Sequence, residues 1–479
     1  MIELTKKIST LLDPDQALQV WMSSLIDSRQ RQNKRETWQP GKPLKLLLAC
    51  YVGGRNTGSD VRVEEIIRQL RHIIGDENLD LTILTLDPSL TKGYFRGAYQ
   101  VTLPQIFPPF LSKECPKHHG IVACEGSMFK SKFADALSTM MAGALGIANV
   151  ENKLSVGYGA EAGDMTPPLK QFVSKQCKKS LVICRNEASR RILEPLGIRT
   201  LGGTDTAWTF EPAPLDYGAS LLRRNGWDGQ RKVLIICPIN PFWWPVKPSL
   251  VKAATKMVFS EFRKTHYKSI YFHEYSQKQK QKYEKYLDGL AYGITAFQNE
   301  REVFPVLVAM ERLDRKACED LSRKLPKPAP IFSSDDYNMY ELVSLLRNAS
   351  LVVSSRFHAI VTSMPAQVPS AGITMDERIR NLLNDRGHQD LCLEAEEKNL
   401  GDRLFVILQR LDEKSGEIAN DIGRVIPKQL KMMGQMGIDF MDELVRVYPE
   451  FPRKNLPRTW DSNLPPLSKE LKQLMEIYA

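Results

Sequence analysis

Between residues 46 and 86 the chain runs strand, glycine-rich loop, amphipathic helix, strand, and this order restricts the fold more than any other feature. Leu46–Val52 is a continuous apolar run of strand length. Gly53-Gly54-Arg55-Asn56-Thr57-Gly58-Ser59-Asp60 interrupts it. Val61, Val63, Ile66, Ile67, Leu70 and Ile73 then fall on one repeating helical face, and Leu81–Leu86 is the next strand. Apolar strands alternating with helices predict a parallel α/β sheet, because a parallel crossover needs a helix to return the chain.

The pattern continues. Strands are predicted at Gly120–Cys124, Leu154–Gly157 and Ser180–Cys184, with helices at Phe133–Leu145, Pro168–Cys177 and from Arg185 to Leu196. Glu211-Pro212-Ala213-Pro214 breaks the series and marks a domain boundary. A second series follows, with strands at Lys232–Cys237, Ser269–Phe272, Pro305–Met310, Ile331–Phe332, Leu351–Ser354 and Ser370–Thr374. Helices are predicted at Tyr340–Arg347 and Asp376–Leu383. The expected organisation is a helical arm over 1–40, a doubly wound domain over 41–215, a second over 216–389 and a charged helical extension over 390–479. At 479 residues, 42% hydrophobic and 25% charged, the chain has the composition to bury two such cores.

Several function classes drop out. Net charge is +10, but no Lys/Arg run carries the interleaved aromatics of a nucleic-acid groove. The eight cysteines show no CxxC spacing, and no His, Cys and carboxylate cluster has metal-ligand spacing. No apolar run has the length of a membrane span, and Glu3, Lys6, Lys7 and Asp13 leave no signal-peptide core at the start. A cytoplasmic protein with reduced thiols is expected; contact with the inner face of a membrane and self-association stay open.

Open α/β sheets bind ligands beyond the C-terminal ends of their strands. Asn56, Gly58 and Asp60 fall at such an edge, as do Glu125-Gly126-Ser127, Arg185 and Ser355-Arg356-Phe357-His358. Ser354 or Ser355 is expected to cap the helix after Leu351–Ser354, placing Arg356 and His358 where free N–H groups favour an anion. Each group also has a plain structural reading: a tight turn, a salt-bridged arginine, a capping histidine. Their recurrence over two domains favours a cleft between them. His118-His119 reads as a solvent-exposed loop. Phe242-Trp243-Trp244-Pro245 either stacks on a sugar or fills the interdomain core, His273-Glu274 is a further strand-edge candidate, and Gln277–Lys285 reads as a solvated helix face.

Ser355-Arg356-Phe357-His358-Ala359 and Gly372-Ile373-Thr374-Met375-Asp376, with the first loop and Arg185-Asn186-Glu187-Ala188-Ser189, resemble the polysaccharide pyruvyl transferase family over roughly 46–385. The sequence departs from that pattern at Arg55 and Gln367, where glycine is usual, at Ser59, inserted before Asp60, at the shortened turn around Gly126, and at Arg378, where lysine is frequent.

The resemblance implies two Rossmann-like domains arranged as in type B glycosyltransferases. It also implies phosphoenolpyruvate as co-substrate, with no other cofactor and no metal. The product would be a pyruvate ketal on two hydroxyls of a sugar or lipid-linked saccharide. On that reading His358 is the general acid, and Arg356 and Arg185 hold the donor beside Phe357 and Ser355. Asn56, Gly58, Asp60, Glu125, Gly126 and Ser127 line the acceptor side. A nucleotide-sugar glycosyltransferase and a non-catalytic carbohydrate-binding protein are the alternatives.

Overall fold

The computed structural model describes residues 13–32, 36–248, 270–273 and 276–479. Helix α1 (Pro14–Gln30), the described part of the expected arm, starts at Asp13, whose side chain accepts from the Asp15 and Gln16 amides. It packs Met22 and Ile26 against the long helix over 135–150, where a Cβ at Gly143 would lie 2.7 Å from Met22 Cγ and one at Gly146 3.0 Å from Ile26 Cδ1.

The first sheet contains β1 (Leu44–Val52), β2 (Leu79–Thr85), β3 (Tyr99–Thr102), β4 (Gly120–Ala123), β5 (Leu154–Ala160), β6 (Leu181–Cys184) and β7 (Arg199–Gly202). Their order is β3-β2-β1-β4-β5-β6-β7. Every pairing is parallel, so the central strands are covered on both faces and read as unbroken apolar runs rather than as alternation. Helix α2 (Thr57–Ile74) crosses from β1 to β2, with Asn56 as its N-cap. Helix α3 (Asp135–Val150) covers the opposite face of the sheet and is buried along most of its length.

The second sheet is formed by β8 (Lys232–Cys237), then, after a two-residue ribbon of β9 (Lys247–Pro248) and β10 (Tyr271–Phe272), by β11 (Val303–Ala309), β12 (Ile331–Ser333), β13 (Leu351–Ser354), β14 (Ser370–Thr374) and β15 (Cys392–Glu394). Its order is β12-β11-β8-β13-β14-β15, again parallel throughout. Two expectations change. Tyr271–Phe272 is not a strand of this sheet: it pairs antiparallel with β9, and Ser269 lies outside the described residues. The sheet also runs past residue 389, because Gly372, Ile373 and Thr374 pair with Cys392, Leu393 and Glu394. A three-residue edge strand is too short to show a period.

The chain order places switch points between β1 and β4 in the first sheet and between β8 and β13 in the second. Crossovers leave in opposite directions there and open a crevice beyond the strand ends. Helices α4 (Gln277–Glu300), α5 (Asp314–Lys324), α6 (Phe357–Ser363) and α7 (Ser415–Val447) complete the parts used below. Helix α7 is 33 residues long, about 50 Å at 1.5 Å per residue. It works as a strap. Ala419 near its start accepts from Gln367 Nε2 of the second domain, and Met433 further on accepts from Gln69 Nε2 of the first. Beyond its end, the Tyr448 hydroxyl donates to the His119 carbonyl. Among the described residues no helix is long and apolar enough to cross a membrane.

The two positions where glycine was expected explain themselves here. Arg55 and Gln367 have φ of 57° and 53°, the left-handed region that glycine adopts freely. Each non-glycine side chain forms a tie that glycine would lack. Arg55 donates from Nε to the Ser334 carbonyl and from Nη2 to the Tyr337 carbonyl, across the domain boundary. Gln367 Nε2 reaches both Ala419 and the Tyr478 hydroxyl in the helical extension. Left-handed backbone costs about 1–2 kcal/mol in such residues, and two hydrogen bonds return a similar amount. Gln367→Ala loses the bonds and keeps the strain, whereas Gln367→Gly loses the bonds and relieves it. In urea unfolding the alanine variant is therefore expected to be less stable than the wild type by about 1–2 kcal/mol, with the glycine variant the more stable of the two.

Candidate functional site

The loops at both switch points meet. Asn56 Oδ1 accepts from the Ser59 amide at 3.3 Å and starts α2. One turn in, Gly58 faces the His358 ring, and a Cβ there would lie 2.3 Å from His358 Nδ1. The first domain can approach the second this closely only because residue 58 has no side chain. The contact is reinforced where the Thr57 amide donates to the Met310 carbonyl at 2.9 Å.

Asp205 is the hub of this junction. It is 1% exposed, and its Oδ2 lies 3.1 Å from Arg62 Nε, 2.9 Å from Arg185 Nη1 and 3.3 Å from His358 Nε2. Its Oδ1 accepts from the Ala207 amide. Burial works against the carboxylate charge, but Arg62, His358 and Arg185 outweigh it and hold the group well below the usual carboxylate range. Burial lowers the pKa of His358, and Arg62 and Arg185 add to this against the pull of Asp205. The imidazole is therefore neutral near neutral pH and leans on an ionised carboxylate.

The arginines are already engaged. Arg185 pairs with Glu161 as well as Asp205, and its guanidinium lies 4.3 Å from the centre of the Phe357 ring. Phe357 in turn meets the His358 ring edge-on at 5.0 Å. Arg356 donates from Nε to Asp314 Oδ2 at 2.7 Å and from Nη2 to Glu311 and Asp314. Burial opposes the Arg356 charge, but those two carboxylates win and hold it firmly protonated. Burial also lifts the Glu311 and Asp314 carboxyls above their ordinary range despite Arg356 beside them. Arg356 Nη1 has no hydrogen-bond partner among the described residues, which leaves one edge of the fork for an incoming anion.

The residues expected on an acceptor side gather at the same place. Glu125 accepts from the Ser59 hydroxyl at 3.0 Å and the Gly126 amide at 2.8 Å, and lies 4.0 Å from Arg62. A Cβ on Gly126 would lie 2.9 Å from Arg185 Nη1, so this turn too needs a bare backbone. Ser127 is buried next to it. Asp60 is 1% exposed, its Oδ1 has no hydrogen-bond partner among the described residues, and burial, opposed by Arg55, raises its carboxyl well above the usual range. Ser355 shares a hydrogen bond of 2.9 Å with the Tyr286 hydroxyl.

All eleven expected positions thus fall at one interdomain junction. Neither Ser354 nor Ser355 caps α6: Arg356 holds that place without a side-chain bond, and Ser354 Oγ accepts from its amide. His118 and His119 are not exposed. They are 6% and 4% accessible and lie before β4, at the opposite end of the sheet from the site. There His119 Nδ1 accepts from the Lys45 amide, and burial takes its pKa to about 4. His273 packs 4.9 Å from Trp243 and 5.0 Å from Trp244; Glu274 lies outside the described residues.

Arg62, Glu161, Asp205, Glu311 and Asp314 had not been anticipated. Arg62 gave one signal, a charge between Val61 and Val63 on an apolar helix face. It is 0% exposed and donates to the Cys124 and Gly159 carbonyls.

The family model described as polysaccharide pyruvyl transferase matches residues 56–377, from the N-cap of α2 to Glu377. The chain belongs to that family. No curated protein matches it. Among solved structures, Anabaena Alr3699/HepE in complex with UDP-glucose is 12% identical with a TM-score of 0.50, covering 85% of this chain and 98% of that one. UDP-GlcNAc 2-epimerase from Neisseria meningitidis is 11% identical with a TM-score of 0.49, covering 84% and 100%. The fold of this pyruvyl transferase family member is thus two Rossmann-like domains of the glycosyltransferase type B kind with a helical C-terminal extension.

The neutral state of His358 has a consequence for stability. In the unfolded chain it takes a proton near the ordinary histidine value of 6.5, while in the fold it binds that proton only at lower pH. The unfolded state therefore holds more protons below pH 6.5, and stability falls as pH drops through that range. His358→Gln is expected to flatten the slope of unfolding free energy against pH just below 6.5, as read from urea titrations at successive pH values.

Proposed function

We propose that this protein transfers pyruvate from phosphoenolpyruvate to two hydroxyls of a sugar in a polysaccharide or glycolipid precursor, forming a ketal. The observation that carries the reading is the convergence of Arg185, Arg356 and a carboxylate-backed His358 at one switch-point crevice, within a chain of this family. The donor bears a phosphate and a carboxylate, and two guanidinium forks match two such anions in fixed geometry.

In the first step the donor's methylene carbon takes a proton, and positive character develops at the neighbouring carbon. A sugar hydroxyl oxygen bonds to that carbon and releases its proton. A second hydroxyl then attacks the same carbon, the bond to the phosphate oxygen breaks, and inorganic phosphate leaves with the remaining proton. His358 is the proton donor in this scheme. It is neutral in the unliganded site, and a multiply charged anion nearby would raise its proton affinity, so donor binding itself charges the acid. Asp205 keeps the ring oriented through Nε2. Glu311 and Asp314 hold Arg356 in place before the donor arrives, and their raised pKa values ease protonation as a second anion approaches. Asn56, Asp60 and Glu125 supply acceptor-side groups able to bond sugar hydroxyls.

Transfer from a nucleotide sugar is the competing reading, and the same assay separates them. Incubation with phosphoenolpyruvate and candidate glycans is expected to release phosphate in step with a ketal detected by mass spectrometry; release of nucleoside diphosphate from a nucleotide sugar instead would favour the competitor. Arg356→Lys keeps the charge but loses the fork. Its affinity for phosphoenolpyruvate in calorimetry is expected to fall about 10- to 100-fold, the worth of one or two charge-assisted hydrogen bonds. Unchanged affinity would remove Arg356 from the donor site.

A further inference from the structure

Beside the junction lies a pocket of about 640 Å³ that the residues discussed so far do not fill. This is within the range of small-molecule sites, roughly 300–1,000 Å³. It sits past the ends of β14 and β15, between α4 and the loop after β8, and Lys132 of the first domain closes one side. Phe242 and Trp244 give it aromatic walls.

Two short chains of contact join the pocket to the candidate active site. Phe242 meets the Tyr286 ring edge-on at 6.5 Å, and the Tyr286 hydroxyl bonds Ser355, next to Arg356. Trp244 meets Phe133 edge-on at 5.1 Å, and Phe133 lies 4.5 Å from the guanidinium of Arg378. Arg378 is paired with Asp376, the neighbour of the pocket residue Met375.

The polar lining is nearly neutral because it is paired internally. Lys282 bonds Glu396 at 2.6 Å and lies 5.8 Å from the Phe242 ring. Arg403 pairs with Glu397, and Arg380 with Glu394. Lys132 is left as the one cation of the lining without an ion-pair partner among the described residues. A nucleoside diphosphate would need uncompensated cations around its phosphates. Aromatic faces flanked by held, charge-balanced donors and acceptors suit an uncharged sugar instead, whose C–H face packs on a ring while its hydroxyls bond the rim.

We propose that this pocket is a carbohydrate subsite in which a non-reacting sugar of the acceptor stacks on Trp244, with Lys132 and Lys282 bonding its hydroxyls. Resting on the reading of the reaction given above, it follows that the enzyme recognises an uncharged oligosaccharide rather than a lone sugar, with the reacting ring at His358 and a non-reacting ring of the same saccharide at Trp244.

The subsite is tested apart from the chemistry by saturation-transfer NMR on the full chain, with neutral di- and trisaccharides of glucose, galactose, mannose and N-acetylglucosamine as probes. At least one probe is expected to bind in preference to its monosaccharide. Trp244→Ala should weaken it 10-fold or more, Trp244→Phe should retain it, and phosphoenolpyruvate affinity should be unchanged in both. The inference is overturned if no probe binds, if Trp244→Ala binds as well as wild type, or if UDP-glucose competes the probe away from the pocket. Should phosphoenolpyruvate fail to bind while an oligosaccharide still depends on Trp244, the subsite stands and the donor assignment falls.

Discussion

A single carboxylate oxygen, Asp205 Oδ2, faces two arginines and a histidine from different parts of the chain, and the geometry of the cleft depends on it. Arg62 comes from α2, Arg185 from the end of β6, and His358 from the second domain. With water excluded, each of these groups would be costly to bury alone, and leaving one partner of such a set unpaired costs several kcal/mol. Asp205 therefore fixes the approach of the two domains at the point where a ligand would bind. The same contact orients His358, while burial, with Arg62 and Arg185, keeps the ring neutral against the pull of Asp205.

Everything around the hub keeps the two sheets from sliding. Gly58 lets His358 lie against α2, Arg55 ties the first loop to the second domain, and Lys130 crosses to Glu377 at 2.6 Å. Helix α7 then straps the outside, bonded to Gln367 at one end and to Gln69 further along. The substitutions of arginine and glutamine for glycine at 55 and 367 belong to this scheme. Both retain glycine's backbone geometry and use the side chain for a longer tie.

The sheets were legible in the sequence because parallel strands buried on two faces must be apolar through their buried length, and Leu46–Val52, Val233–Cys237 and Leu351–Val353 are. Short edge strands such as Tyr99–Thr102 and Cys392–Glu394 are too brief and too exposed to leave a pattern. The strand-end residues were legible for a topological reason, since Arg185, Glu125 and Arg356 each follow an apolar run. Their partners were not. Asp205 follows an exposed edge strand in a Gly-Gly-Thr-Asp stretch that resembles a turn, and Glu311 and Asp314 resemble the acidic start of an ordinary helix. Pairing between side chains 20 to 45 residues apart has no local signature, so the sequence showed charges at strand ends without showing that each arginine already had carboxylate partners. His118-His119 failed in the opposite direction, because burial supplied by β1 and by Tyr448 is equally non-local.

The central claim is that Arg185, Arg356 and His358 together form one anion site for the donor. A crystal structure of the protein with phosphoenolpyruvate tests it most directly. The account predicts density for the donor between the two guanidinium groups, with an oxygen on Arg356 Nη1 and the methylene carbon facing the His358 ring. Donor density in the Trp244 pocket, or away from both arginines with their carboxylate pairs undisturbed, would contradict it.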